Sequence, residues 1–295
     1  MLILICDAFD ASLPKRLEPF GEVTDDASRL RDADVALVRS KTKCTAEWMA
    51  AAPRLRLIIR GGVGLDNVDA KAAKERGIEV RNTPAASSVA VAELAFCLML
   101  AVPNKLIEAH NALKGEGKFL KKEIKRTELF GKTLGLMGIG RIASEVAKRA
   151  AAFGMRVLAF DPFVKASKDA ILVPTVKELF RQADYLSLHV PLNDETKGMI
   201  NKETIAGMKD GVVIVNTGRG KCVVEDDLAA ALASGKVGAY ATDVWNSDPP
   251  DPTSPLLSAP NVIMTPHIGA SSKENLLRIG NEVVKLLGER ATVKA

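Results

Sequence analysis

The stretch Gly138-Ile139-Gly140-Arg141-Ile142-Ala143 follows the apolar run TLGLM and leads into the helical pattern SEVAKRAAAFG. Each small residue there has a use. Gly138 permits a tight turn out of a strand, Gly140 lets the backbone approach a pyrophosphate, and Ala143 is small enough for close helix–strand packing. The start of the helix offers free N–H groups and the positive end of its dipole to an anion. Asp161 ends the next apolar run, RVLAF, 23 residues past Gly138. A carboxylate at that distance accepts hydrogen bonds from the adenosine ribose and repels a 2′-phosphate. No arginine stands immediately beside it, so the constellation predicts NAD rather than NADP. A Gly-rich turn alone is weak evidence; the strand before it, the helix after it and the acid beyond make the case.

Further ionisable groups follow later apolar runs: Arg219 after VVIVN, Asp243 and Asp248 after GAYAT, and His267 after VIM. In open α/β sheets ligands sit at the carboxyl ends of strands, so these four are candidates for chemistry. Blander readings exist for three of them: a lone loop histidine such as His267 is more often structural than catalytic, until its TPHIG setting is counted. Asp248 suits a turn before Pro249, and Arg219 could serve a structural ion pair. His189 ends YLSLHVP and reads as lining a cofactor cleft without moving a proton. His110 lies in a helical stretch and has no assigned role.

The elements that must position these groups alternate along the chain. In the first third, strands are expected at 2–6, 35–39, 55–60 and 79–81, with helices at 46–52 and 70–76 between them. A long helical region covers 87–114, broken at Pro103. A second series follows, with strands at 133–137, 156–160, 185–190, 212–216, 239–244 and 262–265. A final helix opens with the capping box Ser271-Ser272-Lys273-Glu274 and runs to about Leu287. Such alternation argues for parallel βα units, and near-continuous apolar runs suit strands buried on both faces. The expected fold is α/β with two doubly wound parallel-sheet domains: a Rossmann-type cofactor domain and a flavodoxin-like substrate domain. The expected division is 1–84 with 273–295 for the substrate domain, discontinuous in sequence, and 85–272 for the cofactor domain. The two crossings between them would form a hinge.

Composition narrows the classes further. With 47% apolar and 26% charged residues, the 295-residue chain can bury a sizeable core, and with only 4% aromatics that core must be aliphatic. A net charge of +5 is mild for this length. The basic run KGEGKFLKKEIKR is interrupted by Glu116 and Glu123 and lacks interleaved aromatics, so it reads as a solvated face and not a nucleic-acid site. Cys6, Cys44, Cys97 and Cys222 are far apart, which argues against a disulfide framework or a zinc site; no metal is expected, and a reducing cytoplasm fits. MLILICDAF lacks a basic start and a cleavage site, and no apolar run reaches the ~20 residues needed to span a bilayer. Neither a leader nor a membrane association is expected.

The same motifs, in this order, resemble the D-isomer-specific 2-hydroxyacid dehydrogenase family, and within it most nearly the enzymes acting on phosphoglycerate. The matching stretches are VRSKTKCT from Val38, RGGVGLDNVD from Arg60, RNTPAASSVAVAEL from Arg81, ELFGKTLGLMGIGRI from Glu128 and TPHIGASSKE from Thr265. The resemblance covers nearly the whole chain. It implies an NAD-dependent oxidoreductase acting on the CH–OH group of a small 2-hydroxy acid, with 3-phosphoglycerate in serine biosynthesis favoured. Glyoxylate or hydroxypyruvate reduction and D-lactate oxidation are alternatives on the same scaffold, and a non-catalytic NAD-sensing regulator is an alternative of another class. The resemblance also implies roles. Arg219 would clamp the substrate carboxylate and polarise the C2 oxygen. His267 would exchange the hydroxyl proton. Asp248 would hold the imidazole, although the family usually carries glutamate there, so the shorter arm must be met by an inward loop, a bridging water or weaker coupling. Arg141, Ile142, Val190, Thr217, Gly218 and Gly269 match cofactor-lining positions, and Asp243 matches the residue that binds the nicotinamide amide. Gly61, Gly62, Val63 and Gly64 look like a loop whose N–H groups hold the substrate carboxylate. Arg39, Ser40 and Lys41 match a loop that meets the far end of the substrate. The family pairs through the cofactor domain, so a homodimer is expected. Regulatory domains found at the C-terminus of longer relatives are missing from this chain, and feedback inhibition by serine is not expected.

Overall fold

In the computed structural model, which describes residues 1–293, the run VVIVN at Val212–Asn216 is a strand buried on both faces. Val213 and Val215 join one apolar cluster, while Val212 and Ile214 join another. Successive side chains of a strand point to opposite faces, so an unbroken apolar run is what a sheet covered by helices on both sides requires.

The chain divides into two compact units, one comprising Met1–Ala90 with the segment from Ala270 onward, the other Val91–Gly269. The first begins with strand β1 (Leu2–Ile5), helix α1 (Leu13–Leu17), β2 (Glu22–Thr24), β3 (Val35–Val38), α2 (Ala46–Ala50), β4 (Leu57–Arg60), α3 (Ala70–Glu75) and β5 (Glu79–Asn82). Its five strands are all parallel in the order β2-β1-β3-β4-β5, the order of flavodoxin-like sheets. In β3, Val35 and Leu37 face one cluster and Ala36 and Val38 the other.

Helix α4 (Ser88–Ala101) leads into the second unit, and α5 (Leu106–Glu116) follows at a 69° bend; the break falls around Pro103, as its missing N–H dictates. Then come β6 (Thr133–Met137), α6 (Arg141–Ala152), β7 (Arg156–Phe160), β8 (Ile171–Leu172), α7 (Val176–Gln182), β9 (Tyr185–Leu188), α8 (Lys202–Ala206), β10 (Val212–Asn216), α9 (Glu225–Ala233), β11 (Val237–Thr242) and β12 (Val262–Met264). These seven strands are parallel in the order β12-β11-β10-β9-β6-β7-β8. The order reverses between β6 and β9, which is the switch point of a Rossmann sheet. Helix α6 packs by the spacing i, i+3, i+4, i+7: Ala143, Val146, Ala147 and Ala150 are buried.

Helix α10 (Lys273–Val293) returns to the first unit and buries Ile279, Val283 and Leu287 beside Ile3, Leu13 and Leu17. Its cap lies one residue later than the expected box. Ser272 Oγ accepts from the N–H of Asn275 at 3.2 Å, and the Asn275 amide turns to Ala270 O and Ser87 Oγ instead of closing a reciprocal bond. Two edge strands, β2 and β8, were not expected. Both are short and poorly buried, so they lack the apolar run that marks the others. Among the described residues no single helix is long and apolar enough to cross a membrane, and no group of three or more His, Cys, Asp or Glu could hold a metal ion.

Candidate active site

The turn after β6 needs glycine for two reasons. Gly138 has φ +82°, and a Cβ there would lie 2.9 Å from the carbonyl oxygen of His189. Gly140 is different: a Cβ on it would meet nothing within 4 Å. No protein atom demands glycine at that point, whereas a ligand drawn close to the backbone does. Helix α6 starts here without a side-chain cap, which leaves its first N–H groups for an anion. Arg141 is exposed and Ile142 half-buried at its first turn, and Ala143 is fully buried against the sheet. Asp161, past β7, accepts from Ile139 N at 3.0 Å and from Phe163 N at 2.9 Å. The expected ribose-binding acid is therefore tied to the phosphate turn itself.

At the switch point, His189 N donates to Met137 O at 2.9 Å, and its ring nitrogen Nε2 lies 2.9 Å from Ser187 Oγ. Burial pushes this imidazole down to about 4, so it is neutral near pH 7 and does not serve as a proton carrier there. Val190, half-buried, lies next to Gly138.

Sheet register brings the ionisable groups to one edge. Asn216 pairs with Thr242, and Thr242 with Met264. Arg219, Asp243 and His267 each lie one to three residues beyond these aligned strand ends. Asn216 is wholly buried and folds the turn that presents Arg219. Its Oδ1 accepts from Gly218 N at 3.0 Å, and its Nδ2 donates to Arg219 O at 3.0 Å and to the Tyr240 hydroxyl at 3.2 Å. Arg219 Nη1 also donates to Gly218 O at 2.7 Å. Gly220 must be small because the backbone of Trp245 packs against it. Thr217 is buried, and its hydroxyl has no hydrogen-bond partner in the protein. An orphaned hydroxyl at the ligand edge of the sheet suits a polar group of a bound cofactor.

Asp243 is 2% exposed and accepts three hydrogen bonds from the next strand's turn: Thr265 Oγ1 at 2.6 Å, Ile268 N at 2.8 Å and Gly269 N at 2.8 Å. It binds the turn that carries His267 from both sides. His267 itself adopts φ +56°, a left-handed conformation costly for a residue with a Cβ and common at functional sites. Its Nδ1 lies 2.5 Å from Asp248 Oδ2. The shorter aspartate arm thus reaches the ring directly, without a bridging water. A carboxylate accepts, so Nδ1 is the donor of this contact, and in the neutral imidazole that leaves the lone pair on Nε2, free to take a proton from a substrate oxygen.

In the first unit, Arg39–Lys41 and Gly61–Gly64 follow β3 and β4. Ser40 and Lys41 are exposed. The Arg39 guanidinium donates to Ala8 O at 3.3 Å and Ala270 O at 2.9 Å. Gly61 N donates to Val38 O and Gly62 N to Thr83 Oγ1, both at 2.8 Å. Of the four expected N–H groups in this loop, those of Val63 and Gly64 are the ones not engaged in this way. Gly62 has φ +146°, and a Cβ on it would strike the Arg60 guanidinium; Arg60 thus packs on the loop, a cation the sequence reading did not single out. Asn216 was missed too, although a polar residue closing an otherwise apolar buried run was a usable signal.

Comparison with known proteins agrees with this geometry. The profile described as D-isomer specific 2-hydroxyacid dehydrogenase, NAD binding domain, matches residues 96–269. A hydroxypyruvate reductase of Thermotoga maritima is 49% identical over 86% of this chain and 83% of its own length. A D-3-phosphoglycerate dehydrogenase of Methanocaldococcus jannaschii is 44% identical over 92% of this chain, which spans only 54% of that longer protein. Among solved structures, a D-lactate dehydrogenase of Aquifex aeolicus complexed with NAD and lactic acid superposes with TM-score 0.85 at 35% identity, covering 99% of this chain and 95% of that one.

Proposed function

This chain belongs to the D-isomer specific 2-hydroxyacid dehydrogenases, and from that premise we propose that it interconverts 3-phospho-D-glycerate and 3-phosphohydroxypyruvate, an early step of serine synthesis. It is an NAD-dependent oxidoreductase. The observation that carries the reaction chemistry is the Asp248–His267 contact at the ligand edge of the sheet. Gly138, Gly140, Arg141, Ile142 and Asp161 hold the cofactor's pyrophosphate and ribose. Val190, Thr217, Gly218 and Gly269 line its nicotinamide end, and Asp243 adds the amide contact. The bound nicotinamide supplies the hydride acceptor for oxidation and the donor for reduction.

Arg219 grips the substrate carboxylate with its forked guanidinium and polarises the C2 oxygen. In oxidation, the C2 hydroxyl proton passes to His267 Nε2 as the C–H bond gives up its hydride; reduction returns both. Asp248 keeps the imidazole in the required tautomer and stabilises the imidazolium that forms. The N–H groups of Val63 and Gly64 assist the carboxylate, and the loop of Arg39, Ser40 and Lys41 suits a phosphate at the other end. A second reading, hydroxypyruvate reduction, is favoured by the 49% identity to a relative of nearly this chain's length. The two substrates differ by one phosphate. NADH oxidation with 3-phosphohydroxypyruvate, hydroxypyruvate, glyoxylate and pyruvate tests the choice. A higher kcat/KM for the phosphorylated acid supports the first reading, and a preference for hydroxypyruvate supports the second. Bound NADH without turnover of any acid would favour a regulator.

The pairing surface belongs to the second unit. Leu106, Ile107 and Leu113 on α5, with Phe119 and Phe130 after it, are each about half or more exposed. So many large apolar groups on one short stretch suit a homodimer, which sedimentation would detect. The four unpaired thiols accord with a reducing cytoplasm.

A further inference from the structure

Within the second unit, the loop that carries Asp248 begins after β11, and its half-buried Trp245 touches the loops on either side. The indole Nε1–H donates to the carbonyl oxygen of Thr265 at 3.2 Å, two residues before His267. The Trp245 backbone lies against Gly220, the residue after Arg219. A Cβ on that glycine would stand 2.1 Å from the Trp245 carbonyl carbon. One residue thus joins the loops that carry Arg219, Asp248 and His267.

The indole's acceptor is itself held. Thr265 N donates to Thr242 O at 2.9 Å, and Thr265 Oγ1 donates to Asp243 Oδ1 at 2.6 Å. The Thr265 carbonyl is therefore a fixed point on the sheet. Beyond Trp245 the chain runs over the surface, and Asn246, Ser247, Asp248 and Pro249 are all exposed. Ser247 Oγ donates to Pro249 O, and Thr253 donates to Asp251 Oδ1; these bonds shape the loop from within. Its far end is gripped six residues past Asp248, where Ser254 Oγ donates to Glu225 Oε2 at 2.5 Å. Trp245 stands only three residues before Asp248. It is the nearer anchor, and it leaves the carboxylate at most ~3.6 Å of chain per residue in which to stray.

We infer that Trp245 is a positioning residue: its indole hydrogen bond to Thr265 holds the Asp248 loop inward, so that the short aspartate arm reaches His267. The inference rests on the proposed Asp248–His267 pair. Hydrogen bonds weaken steeply once donor and acceptor part or tilt, and an arm one methylene shorter than glutamate has little reach to spare. Small misplacements of catalytic groups cost rate and not binding. The role of Trp245 is exercised through Asp248, and the substrate and cofactor contacts stay as they are.

The test is a double-mutant cycle read by kcat for NADH oxidation with the preferred 2-oxo acid. NADH affinity, by fluorescence titration, and melting temperature are followed in every variant. Trp245→Phe keeps an aromatic ring and loses the N–H donor. It lowers kcat about tenfold, the scale of one hydrogen bond, and leaves NADH affinity unchanged. Combined with Asp248→Asn, the same change costs less than about twofold, because the contact it positions is already gone. Asp248→Glu brings no gain beside Trp245 but restores most of the kcat lost in Trp245→Phe, since the longer arm spans the gap that a relaxed loop leaves. An equal cost of Trp245→Phe with and without Asp248→Asn overturns the inference, as does a kcat untouched by Trp245→Phe or a glutamate that restores nothing. A different result, an unchanged kcat in Asp248→Asn alone, overturns the Asp248–His267 reading and this inference with it.

Discussion

Asp248 and His267 meet at 2.5 Å although the carboxylate arm is one methylene shorter than the glutamate usual in the family. The contact joins two loops that leave neighbouring strands, β11 and β12. Because the imidazole is held in the left-handed conformation by a turn anchored on Asp243, its direction is set before substrate arrives. Asp248→Asn keeps the shape but can present a donor to Nδ1 and favour the wrong tautomer. The expected result is a fall in kcat of about 10²–10⁴ with little change in NADH affinity. A kcat within twofold of wild type would remove Asp248 from the mechanism.

Asp161 accepts from the Ile139 amide and is proposed to accept from the ribose as well. Asp161→Asn keeps an acceptor for that amide and loses the charge that repels a 2′-phosphate. Asp161→Ala loses both. The asparagine variant should retain much of its NAD affinity and gain use of NADP, whereas the alanine variant should weaken NAD by about tenfold or more. Fluorescence titration with NADH and NADPH distinguishes them. An unaltered cofactor preference in both variants would contradict the ribose assignment.

Asn216 is buried at the centre of the turn that presents Arg219, and alanine there strands the Gly218 N–H and takes one partner each from the Arg219 carbonyl and the Tyr240 hydroxyl. Each stranded buried group costs about 1–3 kcal/mol. The melting temperature of Asn216→Ala should drop by roughly 5–10 °C, and kcat should fall as Arg219 loses its fixed direction. Asn216→Asp keeps the acceptor for Gly218 N but sets a buried carboxylate oxygen against the Arg219 carbonyl, so it too should lose stability. Equal melting temperatures for wild type and the alanine variant, by calorimetry, would contradict the role given to Asn216.

His189 predicts a pH dependence of stability. Its folded value, about 4, lies below the ordinary imidazole value of 6.5. Between these limits the unfolded chain binds the extra proton and the folded chain does not. Stability from this residue is complete above about 6.5 and is lost progressively as pH falls towards 4, by a total on the order of 3 kcal/mol. Urea midpoints should therefore decline from pH 7 to pH 5, and His189→Gln should flatten that decline. An identical slope in the variant would show that other groups produce it.

Sequence alone made the second unit legible because its strands are buried on both faces and spell continuous apolar runs; β6, β7 and β10 coincide with TLGLM, RVLAF and VVIVN. The Gly-rich turn was equally plain, since Gly138 is compelled by backbone geometry. The edge strands β2 and β8 were invisible because short, exposed strands carry no such pattern. Contacts between distant residues were invisible for another reason. Nothing in the spacing of Gly220, Trp245 and Thr265 says that they meet, and nothing in Gly61 and Gly62 says that their N–H groups are already spent on Val38 and Thr83. These facts follow from the order of strands in the sheet, which places sequence-remote ends side by side.

His267 is proposed to move the substrate proton, and single-turnover oxidation of bound NADH by the best 2-oxo acid, in wild type and His267→Ala, shows whether it does. The variant should bind NADH with unchanged affinity and transfer hydride about 10²–10⁴ times more slowly. Hydride transfer at the wild-type rate in the variant would remove His267 from the proton path.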